Sequence, residues 1–379
     1  MVLAGEESGD LHGAAVVGAL SARFPSARFI GLGGPRLAEQ GVELLAGLDR
    51  LAVMGFAEPI RHLPFFLRLF GRIRGLLRSG KIDLVIAVDY PGFNLRVVEV
   101  AKELGVPVLY YIVPQFWAWK KGRVDTLARD ADRIAVILPF EERALREAGA
   151  EVSFVGHPLV DRLSEPTADR DRFLRGAGLD PARPVLALFP GSRHQEIRRH
   201  LPVFLDAARQ LVAAHPHLQV AVARARSIDG ETFEGSGVAT VDHPAELLRH
   251  SYAAIVKSGT STLEAAVAGV PSVCVYQTHP ITYFVAKRLV EIPFIALPNL
   301  VAEREVMPEL VQEEVSPETI AARIEPLLEE GSAARVNMIR GFAEVRARLG
   351  EPGAAERVAV MAEEMLVGGG SRGDTATSP

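Results

Sequence analysis

The amino-acid sequence predicts an α/β protein made of two Rossmann-like domains, each a doubly wound parallel sheet, that face a central cleft. Short apolar or β-branched runs alternate with longer amphipathic stretches, the pattern breaks once near the middle of the chain, and then it starts again. Such alternation is typical of βαβ units and parallel sheets. The 379 residues, 48% of them hydrophobic, are enough for two domains with separate cores.

The predicted strands form two series. The first series begins with a strand ahead of Gly5 and continues at residues 27–32, 83–89, 107–113 and 133–138. A polar segment with prolines, residues 164–183, ends this series, and the second follows at residues 184–189, 218–223, 253–257 and 272–277. We therefore predict an N-terminal domain over residues 1–165, a C-terminal domain over 166–345, a C-terminal helix over 346–367 and a disordered tail over 368–379.

Charge and cysteine content exclude several classes of protein. Lysine and arginine total 42 against 47 acidic residues, so the formal net charge of -5 provides no field that would hold nucleic acid. The single cysteine, Cys274, lies in an apolar run, which predicts a small buried side chain and no disulfide within the chain. The sequence has no secretory leader and no run of about 18 apolar residues, which predicts a cytoplasmic protein.

The segment of residues 61–78 differs from the rest of the first half. It combines apolar bulk with five arginines and no acidic residue. Its candidate contacts to a membrane or an acyl chain are Phe65, Phe66, Arg68, Leu69, Phe70, Arg72 and Ile73. A basic amphipathic helix of this kind can lie in a membrane interface. An ordinary helix packed on the sheet, with its arginines in solvent, explains the same pattern equally well.

Common nucleotide and metal motifs are missing from the sequence. Gly31, Gly33 and Gly34 resemble a dinucleotide-binding turn, but Arg36 stands at the third required position. There is no Walker motif, and the ten histidines show no spacing typical of metal ligands. We therefore predict no metal and no cofactor.

Two strand-to-helix junctions of the second half favour the binding of a phosphate. They contain Gly191, Ser192 and Arg193 in the first, and Ser258, Gly259 and Thr260 in the second, with Glu264 on the helix that follows. Unpaired amides at a helix start attract an anion, an arginine can clamp a phosphate, and a carboxylate can accept hydrogen bonds from a ribose diol. Either junction alone is explained by a capped helix. Both at corresponding ends of one sheet predict a nucleotide-diphosphate site.

The first half has matching candidates. Glu6 and Ser8 follow its first strand, and Asp89 ends a fully apolar strand shortly before Asn94. A carboxylate at the carboxyl end of a strand has the position expected of a general base, so Asp89 is the candidate base. A capping or turn aspartate is the alternative interpretation.

Longer motifs carry a family resemblance. The sequence contains, in order, AGEESGDLHGA, DYPGFNLRVVEVAKELGVPVLYYIVPQFWAWKKGRV, FVGHPLVD, LFPGSRHQEI, KSGTSTLEAAVAGVPSVCVYQ and IPFIALPNLVAEREVMPELVQ. Together they closely resemble the lipid-A-disaccharide synthase family. The resemblance implies a GT-B fold and an inverting glycosyltransferase of lipid A biosynthesis. Such an enzyme joins UDP-linked 2,3-diacylglucosamine to 2,3-diacylglucosamine 1-phosphate through a β-1,6 bond and releases UDP.

The resemblance also implies roles for residues of the first half. Asp89 corresponds to the proposed base of the family, and Glu6 corresponds to its essential amino-terminal glutamate. Gly92 stands where an aspartate is common, which leaves Asp89 as the only carboxylate of that motif. Val113 replaces a frequent serine before Pro114.

In the second half, the resemblance implies residues that hold the donor nucleotide. Arg193 corresponds to the arginine of the diphosphate, residues 258–260 correspond to the SGT loop, and Glu264 corresponds to the glutamate on the uridine side. The last motif contains Asn299, which matches the late asparagine of the family, and the further candidate substrate-binding residues Arg304 and Glu305.

The implied partners are lipids as well as nucleotides. The expected substrates are UDP-2,3-diacylglucosamine and 2,3-diacylglucosamine 1-phosphate, met at the cytoplasmic face of the inner membrane by a peripherally associated, metal-independent enzyme. Their acyl chains favour the membrane interpretation of residues 61–78. The resemblance is compatible with a homodimer.

Other functions share part of this pattern. The muramyl-peptide N-acetylglucosaminyltransferase and the UDP-GlcNAc 2-epimerases use the same plan of two halves, and the phosphate junctions alone do not separate them. A non-catalytic UDP-sugar sensor would keep Arg193 and Glu264 but would not need Asp89. The sequence PQFWAW and the basic helix favour acylated substrates.

Overall fold

The computed structural model describes residues 1–51, 59–114, 122–161, 168–225, 228–279, 283 and 293–369. The chain forms two compact units, one from Met1–Pro158 with Glu351–Pro379 and the other from Leu159–Gly350. Each unit contains one parallel sheet with helices, as predicted. The QFWAW part of the family motif and residues 370–379 of the predicted tail lie outside the described residues.

The first unit has a seven-stranded parallel sheet in the order β3-β2-β1-β4-β5-β6-β7. Its strands are β1 Val2–Ala4, β2 Ile30–Gly33, β3 Glu43–Gly47, β4 Val85–Val88, β5 Val108–Tyr111, β6 Arg133–Val136 and β7 Val152–Phe154. Its helices up to β7 are α1 Glu7–Arg23, α2 Pro35–Glu39, α3 Leu48–Leu51, α4 Pro59–Arg78, α5 Pro91–Glu103, α6 Gly122–Asp130 and α7 Pro139–Glu147.

The second unit has a six-stranded parallel sheet in the order β10-β9-β8-β11-β12-β13. Its strands are β8 Val185–Phe189, β9 Gln219–Ala223, β10 Ala239–Val241, β11 Ala253–Lys257, β12 Ser272–Tyr276 and β13 Glu309–Val311. The helix α8 Pro158–Asp161 lies where the units divide, and the unit then contains α9 Arg170–Gly176, α10 His194–Ala214, α11 Pro244–Arg249, α12 Thr260–Ala268, α13 Leu297–Ala302, α14 Pro317–Leu328 and α15 Ala333–Arg348. Short 3₁₀ turns occupy Gly230–Phe233 and Gln312–Glu314.

The last described helix, α16 Ala354–Gly369, belongs to the first unit. Its buried Val358 and Ala362 join the core layer that also contains residues of α1. An ion pair between Arg23 and Glu356, with 3.0 Å between the charged atoms, adds a contact at the surface. The chain therefore returns to its first unit after completing the second.

The core of the first unit lies on both faces of its sheet. Alternate residues of β4 point to opposite faces, so Val85 and Ala87 pack in one layer whereas Ile86 and Val88 pack in the other. A strand buried on both faces appears in the sequence as a continuous apolar run, which is why the inner strands were predictable. The four strands absent from the prediction, β3, β7, β10 and β13, are the edge strands of the two described sheets.

Helix α4 packs on the core through much of the apolar side predicted to contact lipid. Leu69 and Ile73 are only 5% and 1% exposed, which corrects their assignment as membrane contacts, because the core encloses them. The half-buried Phe66 and Phe70 lie with their ring centroids 6.1 and 6.2 Å from that of Phe93 on α5.

The outer side of α4 has a different character. Leu63 and Leu67 are 50% and 62% exposed, and Arg68 and Arg72 beside them are exposed as well. Phe65, also half-buried, packs under the guanidinium of Arg50 at 4.2 Å. In the described part of the chain, no helix has both the length and the apolar character needed to cross a bilayer.

Candidate functional site

The candidate residues of the first unit follow two neighbouring strands. Glu6 comes after β1 and Asp89 comes directly after β4, and these strands pair in parallel with Ala4 opposite Val88. Parallel pairing brings the carboxyl ends of the strands to one edge of the sheet. The two carboxylates are close enough for the charge of Glu6 to act on the carboxyl group of Asp89.

The backbone at Asp89 adopts a conformation that few residues tolerate. Asp89 has φ 46° and Tyr90 has φ 51°, so two consecutive residues with side chains lie in the left-handed region. Such a conformation costs about 1 to 3 kcal/mol per residue and persists only where the surroundings hold it.

Hydrogen bonds hold this turn at the Asp89 carbonyl. The carbonyl oxygen accepts from Asn94 Nδ2 at 2.7 Å and from the hydroxyl of Tyr110 at 2.9 Å. The amide of Asp89 donates to the carbonyl of Tyr111 at 3.0 Å. The sequence analysis missed this contact of Tyr110, because in the sequence Tyr110 is one of several residues of an apolar strand.

Asn94 is fully buried, and it contacts the protein backbone where a substrate contact was predicted. Its Nδ2 also donates to the carbonyls of Leu3 and Val88, at 3.0 and 3.3 Å. Its Oδ1 is one of two buried side-chain polar atoms without a hydrogen-bond partner among the described residues. Asn94 therefore positions the turn of Asp89 from beneath.

The environment of Asp89 makes its carboxyl group a weaker acid than that of an ordinary aspartate. Burial and the nearby charge of Glu6 raise the pKa of Asp89 from 3.8 to about 6, although a hydrogen bond from the Tyr90 amide favours the carboxylate. A base is most effective when its pKa lies near the working pH. At neutral pH Asp89 is an ionised carboxylate that binds a proton readily.

The amino-terminal loop leaves its polar side chains at the surface. Glu6 is exposed and precedes α1 as its N-cap residue, with no capping hydrogen bond from its side chain, and Ser8 is exposed in the first turn. Asp10, in contrast, is buried and accepts hydrogen bonds from the amides of Gly34 and Leu37 at 2.7 and 3.1 Å. Glu6 and Ser8 are therefore exposed to solvent, as is Glu7 between them.

Two histidines near this unit's strand ends escaped the sequence analysis. His157, soon after β7, is 7% exposed, and its pKa is lowered to about 3 by burial and by the nearby His12. His12 on α1 packs edge-on against Tyr111 with ring centroids 6.5 Å apart. His157 is therefore neutral throughout the physiological pH range.

The two phosphate junctions of the second unit lie side by side. Strands β8 and β11 pair in parallel, with Phe189 opposite Val256, so the loops that follow them are neighbours. The prediction that they occupy corresponding ends of one sheet is confirmed. Gly191 has φ 127° and Gly259 has φ 148°, conformations that side chains disfavour, so both loops need glycine.

The first junction opens the 21-residue helix α10. Arg193 is its N-cap residue and is exposed, as is Ser192. Helix starts carry unpaired amides and partial positive charge, so this one suits an anion. The charge of Arg193 acts on Glu196 in the first turn of this helix, so the guanidinium lies near the helix start.

A carboxylate of the protein accepts a hydrogen bond from one amide of this junction, that of Ser192. Glu196 in the first turn of α10 accepts from the Ser192 amide at 3.0 Å, and it accepts from Lys257 Nζ, at the end of β11, at 2.9 Å. Burial opposes ionisation of Glu196, but Lys257, the Ser192 amide and the charge of Arg193 together lower its pKa. The sequence analysis missed both Glu196 and Lys257, since nothing in the sequence pairs residues 61 positions apart.

The second junction is fixed by hydrogen bonds of its own. The hydroxyl of Ser258 donates to the carbonyl of Ile295 at 3.0 Å, and the hydroxyl of Thr262 donates to the Gly259 carbonyl at 2.7 Å. Thr260 is exposed at the start of α12, and the half-buried Glu264 follows four residues later, on the same side of the helix. The loop therefore presents amides and one carboxylate from a rigid frame.

The late candidates serve different purposes in the structure. Asn299 is fully buried and holds a loop: its Oδ1 accepts from the amides of Val306 and Met307, and its Nδ2 donates to Met307 and Glu309. Arg304 is exposed and pairs with Glu344 on α15. The structure thus gives Asn299 and Arg304 protein partners.

Glu305, Cys274 and the candidate metal ligands complete the description of the second unit. Glu305 is exposed, and its charge contributes to a raised pKa of Glu309, which burial causes in the first place. Cys274 is free and buried, as predicted. Among the described residues no group of three or more His, Cys, Asp or Glu side chains could hold a metal ion.

Comparison with known proteins gives a family for the whole arrangement. The family model described as lipid-A-disaccharide synthetase matches residues 1–361. The lipid-A-disaccharide synthase of Myxococcus xanthus is 46% identical over 376 residues, covering 97% of both chains. That of Geobacter sulfurreducens is 44% identical over 373 residues, again covering 97% of both chains.

Solved structures show the same fold at low sequence identity. A UDP-GlcNAc 2-epimerase from Neisseria meningitidis, bound to UDP-GlcNAc, matches with a TM-score of 0.62 and 11% identity, covering 97% of this chain and 99% of that one. A calicheamicin glycosyltransferase matches with a TM-score of 0.58 and 18% identity, covering 97% and 98%. These likenesses confirm the predicted GT-B fold with its two parallel-sheet domains.

Proposed function

This chain belongs to the lipid-A-disaccharide synthase family, and from that premise we propose how its own residues carry out the reaction. The chain is a glycosyltransferase of lipid A biosynthesis. The proposed donor is UDP-2,3-diacylglucosamine, and the proposed acceptor is 2,3-diacylglucosamine 1-phosphate. Transfer with inversion forms a β-1,6 disaccharide 1-phosphate and UDP.

Asp89 is the general base of this proposal. The observation that carries it is a largely buried carboxylate, held on a strained turn at a strand end, with its pKa raised to about 6. It accepts the proton of the acceptor 6-hydroxyl while that oxygen attacks the anomeric carbon, a role worth about 10²- to 10⁴-fold in rate. Attack on the face opposite to UDP inverts the anomeric centre. Glu6 supports the reaction by keeping the affinity of Asp89 for the proton high.

The loops of the second unit take the leaving diphosphate. Negative charge grows on UDP as its bond to the sugar breaks, and Arg193 and the amides at the starts of α10 and α12 stabilise it. Glu264, which corresponds to the family's glutamate on the uridine side, accepts hydrogen bonds from the ribose. No step of this proposal passes through a metal ion.

The alternatives fit the observations less well. A UDP-GlcNAc 2-epimerase shares the fold, but the sequence matches lipid-A-disaccharide synthases over 97% of the chain, whereas the epimerase is 11% identical. A non-catalytic UDP-sugar sensor would have no use for the strained turn of Asp89, which costs free energy. Catalysis is a use that accounts for this cost.

The central experiment measures the product directly. The protein is incubated with both proposed substrates in the presence of a chelator, and the disaccharide 1-phosphate is sought by mass spectrometry. Formation of the β-1,6 product supports the proposal. Turnover of UDP-GlcNAc with a muramyl-peptide acceptor, or its epimerisation without transfer, would replace the proposal with one of the alternatives.

Peripheral association with the cytoplasmic face of the inner membrane is part of the proposal. The outer side of α4 presents Leu63 and Leu67 beside Arg68 and Arg72, which suits an interface with anionic lipid. Leu67→Glu should weaken binding to vesicles that contain phosphatidylglycerol and leave UDP binding unchanged. Leu104→Glu, at another exposed leucine of the first unit, is the matched control. Equal vesicle binding by all three proteins would remove α4 from the membrane contact.

A homodimer remains a prediction from the family resemblance. Light scattering across a range of protein concentrations tests it.

A further inference from the structure

A carboxylate of the protein, that of Glu196, occupies part of the first phosphate junction. The Glu196 carboxylate bridges two loops, because Oε2 accepts from the Ser192 amide while Oε1 accepts from Lys257 Nζ. The side chains of Glu196 and Lys257 are only 20% and 19% exposed. An amide at a helix start and a largely buried ammonium are the groups that hold a phosphate in many proteins.

Glu196 packs closely against the first loop. A Cβ at Gly191 would lie 2.5 Å from Oε2 and 2.6 Å from Cβ of Glu196, so this side chain reaches the Ser192 amide only because residue 191 is glycine. Nζ of Lys257 lies 3.9 Å from the position of a Cβ at Gly259, which places the ammonium beside the second loop as well. Lys257 thus stands between the two junctions.

Helix α10 stays in place independently of the Glu196 side chain. The Gln277 amide donates to Nε2 of His200 at 3.1 Å, and Nδ1 of His200 donates to the Glu196 carbonyl at 2.8 Å. The imidazole of His200 therefore links the first turn of α10 to the residue after β12. The Glu196 side chain can turn away while the amides remain where they are.

We propose that the Glu196 carboxylate occupies the diphosphate site of the ligand-free protein and that Lys257 is a further residue that binds the UDP-sugar. When the UDP-sugar binds, Lys257 exchanges its ion pair with Glu196 for one with the diphosphate. The inference rests on the proposed function, because it needs that site to take a nucleoside diphosphate. In the exchange, the phosphate oxygens take over the Ser192 amide and the ammonium, and the displaced carboxylate turns to solvent.

The exchange predicts selectivity for two phosphates over one. A diphosphate has anionic groups for both neighbouring loops, whereas a monophosphate engages one loop and leaves the other with Glu196. Lys257 should therefore contribute more to the binding of UDP than to that of UMP. Glu196 should oppose both ligands, since it competes for the same donors.

The test uses calorimetric titration of the full chain with UDP and with UMP. Lys257→Met should weaken UDP binding by about 10- to 100-fold, the range for a lost charge-assisted hydrogen bond, and should weaken UMP binding much less. Glu196→Gln, which removes the competing charge but keeps the shape, should tighten UDP binding by about threefold or more. Lys102→Met is the matched control, because Lys102 forms a similar ion pair with Asp132 in the first unit.

The two substitutions should change the affinity for UDP in opposite directions, and this distinguishes an exchange of partners from a permanent ion pair that only holds the two loops together. If Glu196 and Lys257 only held the two loops together, both variants would weaken UDP and UMP alike, and that result would overturn the inference. Thermal unfolding of each variant and the charge-retaining Lys257→Arg, which should keep most UDP affinity, identify a folding defect. If wild-type protein bound no UDP, the proposed function itself would fail. Wild-type UDP binding that Lys257→Met leaves unchanged would overturn this inference alone.

Discussion

Asp89 and Glu196 are both acids that follow a strand of a parallel sheet, and their surroundings drive their pKa values in opposite directions. Asp89 lies on a strained turn with another acid nearby, and burial raises its pKa to about 6. Glu196 is also partly buried, but Lys257 and a helix-start amide lower its pKa. Burial raises the pKa of a carboxyl group at both positions, but only Glu196 has a cation and an amide that together outweigh burial.

Asn94 and Asn299 make a second pair across the two units. Both are fully buried amides that hold a loop by hydrogen bonds to the backbone. Asn299 uses its amide nitrogen and its oxygen, whereas Asn94 uses only its nitrogen and leaves Oδ1 without a partner. The turn of Asp89 thus gives up hydrogen-bonding free energy that the loop of Asn299 retains.

The largest expected effect concerns Asp89 itself. Asp89→Asn should lower turnover at least about a hundredfold, because a neutral amide is too weak a base to take the proton of the acceptor hydroxyl. The affinity for UDP should stay nearly the same, since the phosphate loops belong to the other unit. Steady-state kinetics and UDP titration measure the two quantities.

Asp83→Asn is the control for this variant, since Asp83 is exposed at the opposite end of the same strand. It should leave turnover unchanged. Near-normal turnover in Asp89→Asn would assign the base to another residue, and loss of UDP binding in that variant would show damage beyond the first unit.

The next largest effect compares the two asparagines. Asn299→Ala should lower the free energy of unfolding by about 2 to 4 kcal/mol, because it leaves two buried amides and the Glu309 carboxylate short of a partner. Asn94→Ala should cost less stability, since it also removes the unpaired Oδ1, but it should lower turnover more. Denaturant unfolding and steady-state kinetics of both variants check this prediction: Asn299→Ala should lose more stability, and Asn94→Ala should lose more turnover. The same order of the two variants in both assays would contradict it.

The sequence revealed the inner strands and not the edges, and the physical reason is burial. Strands such as β4 and β11 are covered on both faces and are continuously apolar, whereas β7 and β13 are three-residue edge strands with partly exposed side chains. The loops after the inner strands were therefore located correctly. Pairings across the fold, such as Glu196 with Lys257, depend on which strands are neighbours, and no local pattern encodes that.

Side-chain direction was the other limit of the sequence. The apolar residues of α4 include Leu69, which the core buries, and Leu67, which it does not. The sequence analysis named Leu69 as a lipid contact and did not name Leu67, because composition does not show which side of the helix faces the core. Similarly, Asn94 is a polar residue beside the candidate base, yet its hydrogen bonds show that it faces the backbone.

A smaller effect of Asp89→Asn concerns stability. The folded-state pKa of Asp89 is raised from 3.8 to about 6, so its favourable contribution is complete below about pH 4 and is lost as pH rises through 6. At pH 8 the neutral amide avoids that loss, and the variant should be more stable than wild type by about 1 to 3 kcal/mol. At pH 4 the two proteins should unfold alike. A variant less stable than wild type at pH 8 would contradict a strained, charge-burying turn.

The smallest effect is a pH profile that separates the two carboxylates. Protonation of Asp89 removes the base, so kcat/KM should fall below about pH 6, reaching about a tenth at pH 5. The affinity for the proposed UDP-sugar donor should not show this fall. Its diphosphate is esterified at both ends and lacks the proton with a pKa near 6 that a terminal phosphate carries, and Glu196, with its lowered pKa, stays ionised there. Kinetics and calorimetry over pH 5 to 8 measure both curves. A common fall of kcat/KM and donor affinity at pH 6 would mean that one titrating group governs both units, and the contrast between their acids would then fail.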